Sequence, residues 1–197
     1  MPARTGRQYL NGLREQDREV WLAGERVKDV TSHPGLKNGA RAIAALYDMQ
    51  CDPKLRDEMT YVSPTTGDRV GLSFIIPRTR EDLEKRRVMM LNWARTTCGM
   101  MGRSPDFMNV TYAAWAGAAD YFTQGLGRPE FAENMRRYHE YIRENDLTLT
   151  HSLINLQRSR TVSGVFNLEE GTALQVMRET DAGIVVRGAR KIGRAHV

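Results

Sequence analysis

The spacing of apolar residues changes along the chain, from a helical period over most of its length to alternation near its end. Tyr9, Leu10 and Leu13 have helical spacing, and Thr5 is a suitable N-cap for that first helix. The same pattern predicts four further helices, over residues 37–50, 79–98, 104–122 and 130–145.

Short strands are predicted between and after these helices. They cover residues 19–30 around a turn at Gly24, residues 59–62 and 69–76, and residues 172–179 and 183–187. Helices that come first and strands that come late indicate a mainly α N-terminal domain followed by the start of a β domain. We place the first in residues 1–147 and the second in residues 148–191.

The end of the chain has an unusual sequence. Residues 192–197 read IGRAHV, which one reading frame of a common sequencing adapter would encode. We expect these six residues to be a non-native tail, which removes His196 from the candidate site residues. Because a β domain with two strands cannot bury a core of its own, we also expect the chain to be truncated.

Composition and charge favour a globular domain and narrow the classes of partner. The net charge is +5, but basic and acidic residues are mixed and form no basic stripe, so we expect no nucleic acid. No apolar stretch is long enough for a membrane span, and the N-terminus has no secretory signal, which favours the cytoplasm. Cys51 and Cys98 form no disulfide framework and are expected to be buried or partly buried thiols.

Three segments could carry chemistry, and each has a plain alternative. Arg103 precedes a predicted helix N-terminus, where it could bind an anion or a phenolate, or could simply pair with Asp106. His151 could donate a hydrogen bond and titrate near neutrality, or could be structural. Two arginines in residues 157–160 could hold a diphosphate, or could belong to a solvated loop.

The remaining aromatic, methionine and histidine side chains are interpreted as structural. We expect Trp21, Trp93, Trp115 and the pair at Met89 and Met90 to pack in apolar faces. His139 lies on a highly charged helix and is expected to be exposed.

The string GMMGRSPDFMN at residues 99–109 closely resembles the G-x-M-G-R-[ST]-P-D-[YF] segment of the 4-hydroxyphenylacetate 3-hydroxylase family, large component. Further similar strings follow in the right order, at residues 4–9, 27–34, 45–48, 118–122, 150–151 and 180–190. The resemblance implies an acyl-CoA-dehydrogenase-like architecture: a helical N-terminal domain, a middle β-barrel and a C-terminal helical bundle. This chain would hold the first of these domains and the start of the second.

The resemblance also implies a function. The family members are oxygenase components of two-component flavoprotein monooxygenases, which ortho-hydroxylate a phenol such as 4-hydroxyphenylacetate in aromatic catabolism. Reduced FAD would come from a separate flavin reductase and O2 would be the co-substrate, while the protein orients the phenol. The full-length protein would be a homotetramer, and the fragment would be inactive alone.

Site residues follow from the resemblance by position. Arg103 and His151 match the family's substrate-contacting arginine and histidine, which would hydrogen-bond the phenol oxygen and assist its deprotonation. The third substrate contact is usually a tyrosine and is Phe107 here, which cannot donate that hydrogen bond and leaves the identity of the phenol open. The implied flavin contacts are His151, Ser152, Leu153, Gln157, Arg158, Ser159 and Arg160.

Two other functions remain as alternatives. A 4-hydroxybutyryl-CoA dehydratase-like enzyme would need several cysteine ligands for its iron–sulfur cluster, and Cys98 has no second cysteine at short spacing. A stand-alone helical binding module would need the 197 residues to fold as a stable monomer, against which the unpartnered opening strands argue.

Overall fold

The computed structural model describes residues 3–99, 106–124, 127–152, 154–155 and 173–191. The chain divides into two compact units, Met1–Leu149 and Thr150–Val197. The sequence predicts the domain boundary between residues 147 and 148, two residues before the division between Leu149 and Thr150. The predicted tail at residues 192–197 lies outside the described residues.

The first unit is rich in helices and carries two small sheets. Its helices are α1 (Gly6–Glu15), α2 (Lys37–Cys51), α3 (Arg56–Met59), α4 (Arg80–Thr96), α5 (Asp106–Gly117) and α6 (Glu130–Glu144), with 3-10 turns at Leu72–Phe74 and Ala119–Thr123. Its strands form two antiparallel hairpins, β1 (Val20–Leu22) with β2 (Glu25–Val27) and β3 (Thr60–Val62) with β4 (Arg69–Gly71). The mainly α character predicted for this part of the chain is confirmed.

Capping boxes begin two of the helices, and Thr5 is the N-cap that the sequence predicts for α1. Thr5 Oγ1 accepts a hydrogen bond from the Gln8 amide at 3.2 Å, and Gln8 Oε1 accepts one from the Thr5 amide at 2.8 Å. Thr79 and Asp82 make the same reciprocal pair at the start of α4. Each box satisfies backbone N–H groups that have no partner inside the helix.

Two predicted helices end earlier in the structure than their apolar pattern suggests. The helix predicted to run through Cys98 ends at Thr96, because Cys98 adopts a φ of +52° and the Gly99 amide donates to the Ala94 carbonyl at 2.8 Å. This is a Schellman termination with a cysteine in the left-handed position. The helix predicted to reach residue 122 ends at Gly117 and continues as a 3-10 turn.

The second strand of the β3–β4 hairpin is also shorter than predicted. It ends at Gly71 rather than at residue 76, and the chain continues as the 3-10 turn Leu72–Phe74. All three residues of that turn are buried, which a strand with alternating faces would not allow.

The core of the first unit lies where α2 and α4 meet the residues on either side of the β3–β4 hairpin. Leu46, Met59, Leu72, Met89 and Trp93 form one buried cluster. The packing roles predicted for Met89 and Trp93 are therefore confirmed.

Several packing predictions are wrong. Trp21 is 59% exposed, Met90 40% and Trp115 39%. Trp21 lies in the short β1–β2 ribbon, which has no core of its own, and Met90 lies about 100° around α4 from buried Met89. Cys51 and Cys98 are both exposed, because each lies at or just beyond the end of a helix.

The second unit contains short antiparallel strand pairs. β5 (Ile154–Asn155) pairs with β8 (Arg190–Lys191), and β6 (Gln175–Thr180) pairs with β7 (Gly183–Arg187). The hairpin predicted near the end of the chain is thus present, with its turn at Asp181 and Ala182. Every residue of β6 and β7 is exposed, and the start of a β-barrel stays a prediction. No helix in the described part of the chain is long and apolar enough to cross a membrane.

Candidate functional site

The structure places three of the nine predicted site residues. Phe107 lies in the first turn of α5, where its side chain is 39% exposed and its carbonyl accepts a hydrogen bond from Thr111 Oγ1 at 2.8 Å. His151, partly exposed, and Ser152, exposed, lie just before β5. The other six, Arg103, Leu153, Gln157, Arg158, Ser159 and Arg160, lie outside the described residues.

These three residues belong to different units. Phe107 is part of the first unit, whereas His151 and Ser152 are part of the second. Their approach to one another around a phenol stays a prediction. Their exposure fits the role assigned to them, since a residue that contacts a ligand must be reachable before the ligand binds.

A buried carboxylate, which the sequence analysis missed, lies at the end of α6. The Asp146 Oδ2 atom accepts hydrogen bonds from the Arg4 amide and from Gln50 Nε2, both at 2.9 Å. The main-chain carbonyl of Asp146 accepts hydrogen bonds from Tyr47 Oη at 2.9 Å and from the Arg4 guanidinium. Tyr47 also makes a short hydrogen bond with Thr148. The group therefore joins the N-terminus, α2 and the segment that leads to residue 149.

The electrostatics of this group follow from its burial. Burial raises the pKa of Asp146 to about 6, although the Arg4 amide and Gln50 favour the charged form. Burial, followed by the nearby Asp146 charge, raises the pKa of Tyr47 to about 12. No simple sequence signal marks Asp146, because an aspartate just after a helix usually belongs to a solvated loop.

Asp146 has a second structural role as the residue that ends α6. It adopts a φ of +45°, and the Leu147 amide donates to the Ile142 carbonyl at 3.0 Å in a Schellman arrangement. Glycine is the usual residue at such a position. Here the buried hydrogen bonds of the side chain account for the aspartate.

His139 is buried, so the expectation that it is exposed is wrong. Its side chain is 2% exposed, and its Nε2 lies 2.8 Å from the Phe74 carbonyl oxygen, to which it can only donate. Burial lowers the pKa of His139, and the nearby Arg143 acts in the same direction. His139 is therefore a neutral core histidine that fixes α6 to the turn at residues 72–74.

An aromatic groove of about 530 Å³ lies along α5 and α6. Five of its lining residues have large aromatic or apolar side chains and one has an amide. They are Tyr112, Phe122, Phe131, Met135 and Tyr138, with Asn134 as the amide. Tyr112 packs edge-on against Trp115 and Tyr138, with ring centroids 5.1 and 4.9 Å apart. The groove offers stacking surface with little hydrogen-bonding capacity. Its signal in the sequence is the helical spacing of Phe131, Met135 and Tyr138.

Comparisons with known proteins decide the family. The sequence profile described as "4-hydroxyphenylacetate 3-hydroxylase N terminal" matches residues 5–195. The chain belongs to this family. The match includes residues 192–195, and the interpretation of residues 192–197 as a non-native tail stays a prediction.

Relatives of this family share both sequence and fold with the chain. The chain is 45% identical over 190 residues to the 4-hydroxyphenylacetate 3-monooxygenase oxygenase component of Thermus thermophilus, covering 95% of this chain and 37% of that protein. A crystal structure of such an oxygenase component, complexed with FAD and 4-hydroxyphenylacetate, superposes with a TM-score of 0.83 at 43% identity and covers 95% of this chain and 38% of that one. The chain thus spans a little over a third of the relatives it matches.

A more distant structural neighbour resembles the chain in fold alone. A 4-hydroxybutyryl-CoA dehydratase from N. maritimus superposes with a TM-score of 0.77 at 19% identity, over 95% of this chain and 37% of that one. The described residues contain no group of three histidine, cysteine or acidic side chains suited to a metal. Nothing in the described part of the chain favours the dehydratase alternative.

Proposed function

We propose that this chain is the N-terminal part of the oxygenase component of a two-component, FADH2-dependent monooxygenase that ortho-hydroxylates a phenol. The family match over residues 5–195 carries this proposal. Because the chain spans 37% of the Thermus relative, we assign the activity to a longer polypeptide and expect the 197-residue chain to be inactive alone.

The proposed reaction consumes one phenol, one FADH2 and one O2. One oxygen atom enters the ring ortho to the hydroxyl group and gives a catechol, the other leaves as water, and FADH2 is oxidised to FAD. When bound, the reduced flavin supplies the two electrons and activates the oxygen. The protein residues hold the phenol, assist the loss of its proton and exclude water.

The described residues assigned to the cofactor are suited to it. His151 and Ser152 are polar, accessible and adjacent, and both can donate hydrogen bonds to an anionic group. Arg158 and Arg160, assigned by resemblance, would add the positive charge that a diphosphate requires. We therefore propose FAD as the cofactor, with its contacts at residues 151–153 and 157–160.

Arg103 and His151 are proposed to bind the phenol. A guanidinium next to the phenol oxygen favours the phenolate, and an imidazole can take or return the phenol proton. Phe107 would supply an apolar contact in place of a tyrosine hydroxyl. Every phenol carries the oxygen that the tyrosine would contact, so Arg103 and His151 would be its polar contacts and the identity of the phenol stays open.

The proposed partners follow from the reaction. A separate flavin reductase would supply FADH2, and the complete protein would be a homotetramer. The proposed setting is the cytoplasm, where two exposed free cysteines, Cys51 and Cys98, would remain reduced.

The test is a hydroxylation assay on the full-length polypeptide that contains this chain. With a working reductase, FAD, NADH and O2, we expect catechol formation from at least one member of a panel of para-substituted phenols. Replacement of Arg103 or His151 by Ala should lower kcat/KM at least tenfold. Exposed Arg41 and the loop residue His33 provide matched controls, whose Ala variants should retain activity.

Two results would overturn the proposal. One is the absence of catechol across the panel while the reductase delivers FADH2. The other is a full-length protein that binds reduced FAD no more tightly than an unrelated protein does.

A further inference from the structure

A small cavity lies in the first unit between α2, α5 and the residues that follow α6. It has about 10 Å³ of room for the centre of a water molecule, which is enough for a single water. Its lining consists of the apolar side chains Leu46 and Trp93 and the polar side chains Tyr47, Gln50, Asn109 and Asp146.

Asn109 leaves a buried oxygen at this cavity without a donor. The side chain is 2% exposed, and its Nδ2 donates to Ser73 Oγ at 2.9 Å. Its Oδ1 has no hydrogen-bond partner among the described residues. A buried carbonyl oxygen without a donor costs about 1–3 kcal/mol, so the site favours a molecule that donates to it.

The Asp146 carboxylate also has acceptor capacity to spare. Both hydrogen bonds that it accepts from described residues, those of the Arg4 amide and Gln50 Nε2, end on Oδ2. The other donors around the cavity are engaged elsewhere, since Tyr47 Oη donates to the Asp146 carbonyl and Trp93 Nε1 donates to the Leu46 carbonyl. The Asp146 Oδ1 atom therefore has capacity to accept a hydrogen bond from a molecule in the cavity.

We propose that this cavity binds one ordered water molecule, which donates one hydrogen to Asn109 Oδ1 and the other to Asp146 Oδ1. A water has two hydrogens, and the site offers these two acceptors. A cation of similar size would require about six oxygen ligands, which a cavity lined by four polar side chains together with Leu46 and Trp93 does not supply. The bridge would also form if the Asn109 amide were rotated by 180°, because Nδ2 would then donate to the water oxygen.

The water joins parts of the chain that are distant in sequence. Asn109 lies on α5, the helix that carries Phe107 in its first turn, and Asp146 lies five residues before His151. The bridge makes α5 and the segment after α6 one hydrogen-bonded unit with α2. Asn109 and Asp146 are thus positioning residues for the first unit, and their role does not depend on the proposed function.

The first test is the wild-type 197-residue chain. A crystal structure at a resolution that shows ordered water should have density within hydrogen-bonding distance of both Asn109 and Asp146. In solution, the Asn109 side-chain amide protons should give nuclear Overhauser effects to a long-lived water. A direct hydrogen bond from Asn109 to Asp146, or density with the coordination of a metal ion, would overturn the proposal.

The second test is a matched pair of variants, Asn109→Leu and Asn134→Leu. Asn134 lies on α6 and is exposed, so its replacement leaves the cavity unchanged. In Asn109→Leu the water should be lost, and the NMR-measured pKa of Asp146 should rise because its charged form loses a donor. In Asn134→Leu both should match the wild type. The same Asp146 pKa in both variants would contradict the bridge, and the wild-type measurements decide the question if Asn109→Leu does not fold.

Discussion

Two buried ionisable side chains in the first unit make stability depend on pH in opposite directions. Burial raises the pKa of Asp146 to about 6, so the folded state holds a proton at a pH at which the unfolded state has lost it. Burial lowers the pKa of His139, so the folded state resists a proton that the unfolded state accepts. Acidification from pH 7 therefore favours folding through Asp146 and opposes it through His139.

Replacement of Asp146 by Asn should change the slope of stability against pH. The wild type should gain stability relative to Asp146→Asn as the pH falls from about 7 to about 4, by roughly 1.4 kcal/mol per pH unit at most. The gain is lost as the pH rises through 6. Urea unfolding followed by the fluorescence of buried Trp93 measures it. Exposed Asp68→Asn is the control, and parallel curves for wild type and Asp146→Asn would contradict the buried carboxylate.

Replacement of His139 by Leu should remove the hydrogen bond to the Phe74 carbonyl. The buried carbonyl then has no side-chain donor, which we expect to lower the free energy of unfolding by about 1–3 kcal/mol at pH 7.5. Below pH 6.5 the deficit should shrink, because the wild type must keep a buried imidazole uncharged. His33→Leu, in a surface loop, should change stability by less than about 0.5 kcal/mol. Equal effects of the two variants would show that His139 is not buried.

At the scale of elements, the contact of α1 with α2 depends on a glycine. Gly6 is buried at the start of α1, and its amide donates to Asp48 Oδ1 at 2.7 Å. A Cβ at residue 6 would collide with the Ala44 backbone carbonyl, which cannot move away without disturbing α2. Gly12 lies on the same helix, and a Cβ there would meet nothing within 4 Å.

The two glycines provide a matched pair of variants. Gly6→Ala should lower the melting temperature because α1 must move away from α2, at a cost of about 1–3 kcal/mol. Gly12→Ala should raise stability by about 0.5–1 kcal/mol, because alanine favours the helix and restricts the unfolded chain. Thermal unfolding monitored by circular dichroism measures both. A stabilising Gly6→Ala would show that the helices do not approach as closely as the structure has them.

At the scale of the whole molecule, the sequence predicts features that depend on neighbouring residues much better than features that depend on long-range contacts. The N-cap Thr5 and the hairpin turn near residue 182 depend on neighbouring residues, and the sequence predicts them correctly. The burial of Asp146 and His139 depends on partners such as Arg4 and Phe74, 142 and 65 residues away. No periodicity carries that information. The site residues at Arg103 and His151 came from family resemblance, since their local sequence also fits an ordinary loop.

The β6–β7 hairpin exposes apolar side chains that we expect to govern the behaviour of the chain in solution. Five apolar side chains of the hairpin, Val176, Met177, Ile184, Val185 and Val186, are 39% to 61% exposed. Paired strands with apolar residues on both faces invite association with other strands. We expect the 197-residue chain to bind a dye that detects apolar surface and to self-associate as its concentration rises.

Two lysine variants test whether this hairpin is the cause. Val186→Lys replaces an apolar residue that pairs with Val176, whereas Gln175→Lys adds the same charge at a polar position that pairs with Arg187. Dye fluorescence and the sedimenting oligomer should fall in Val186→Lys and change little in Gln175→Lys. An equal fall in both would assign the effect to net charge. A wild-type chain that melts cooperatively as a monomer with little dye binding would instead support the stand-alone binding module, because such a module must cover these strands within its own 197 residues.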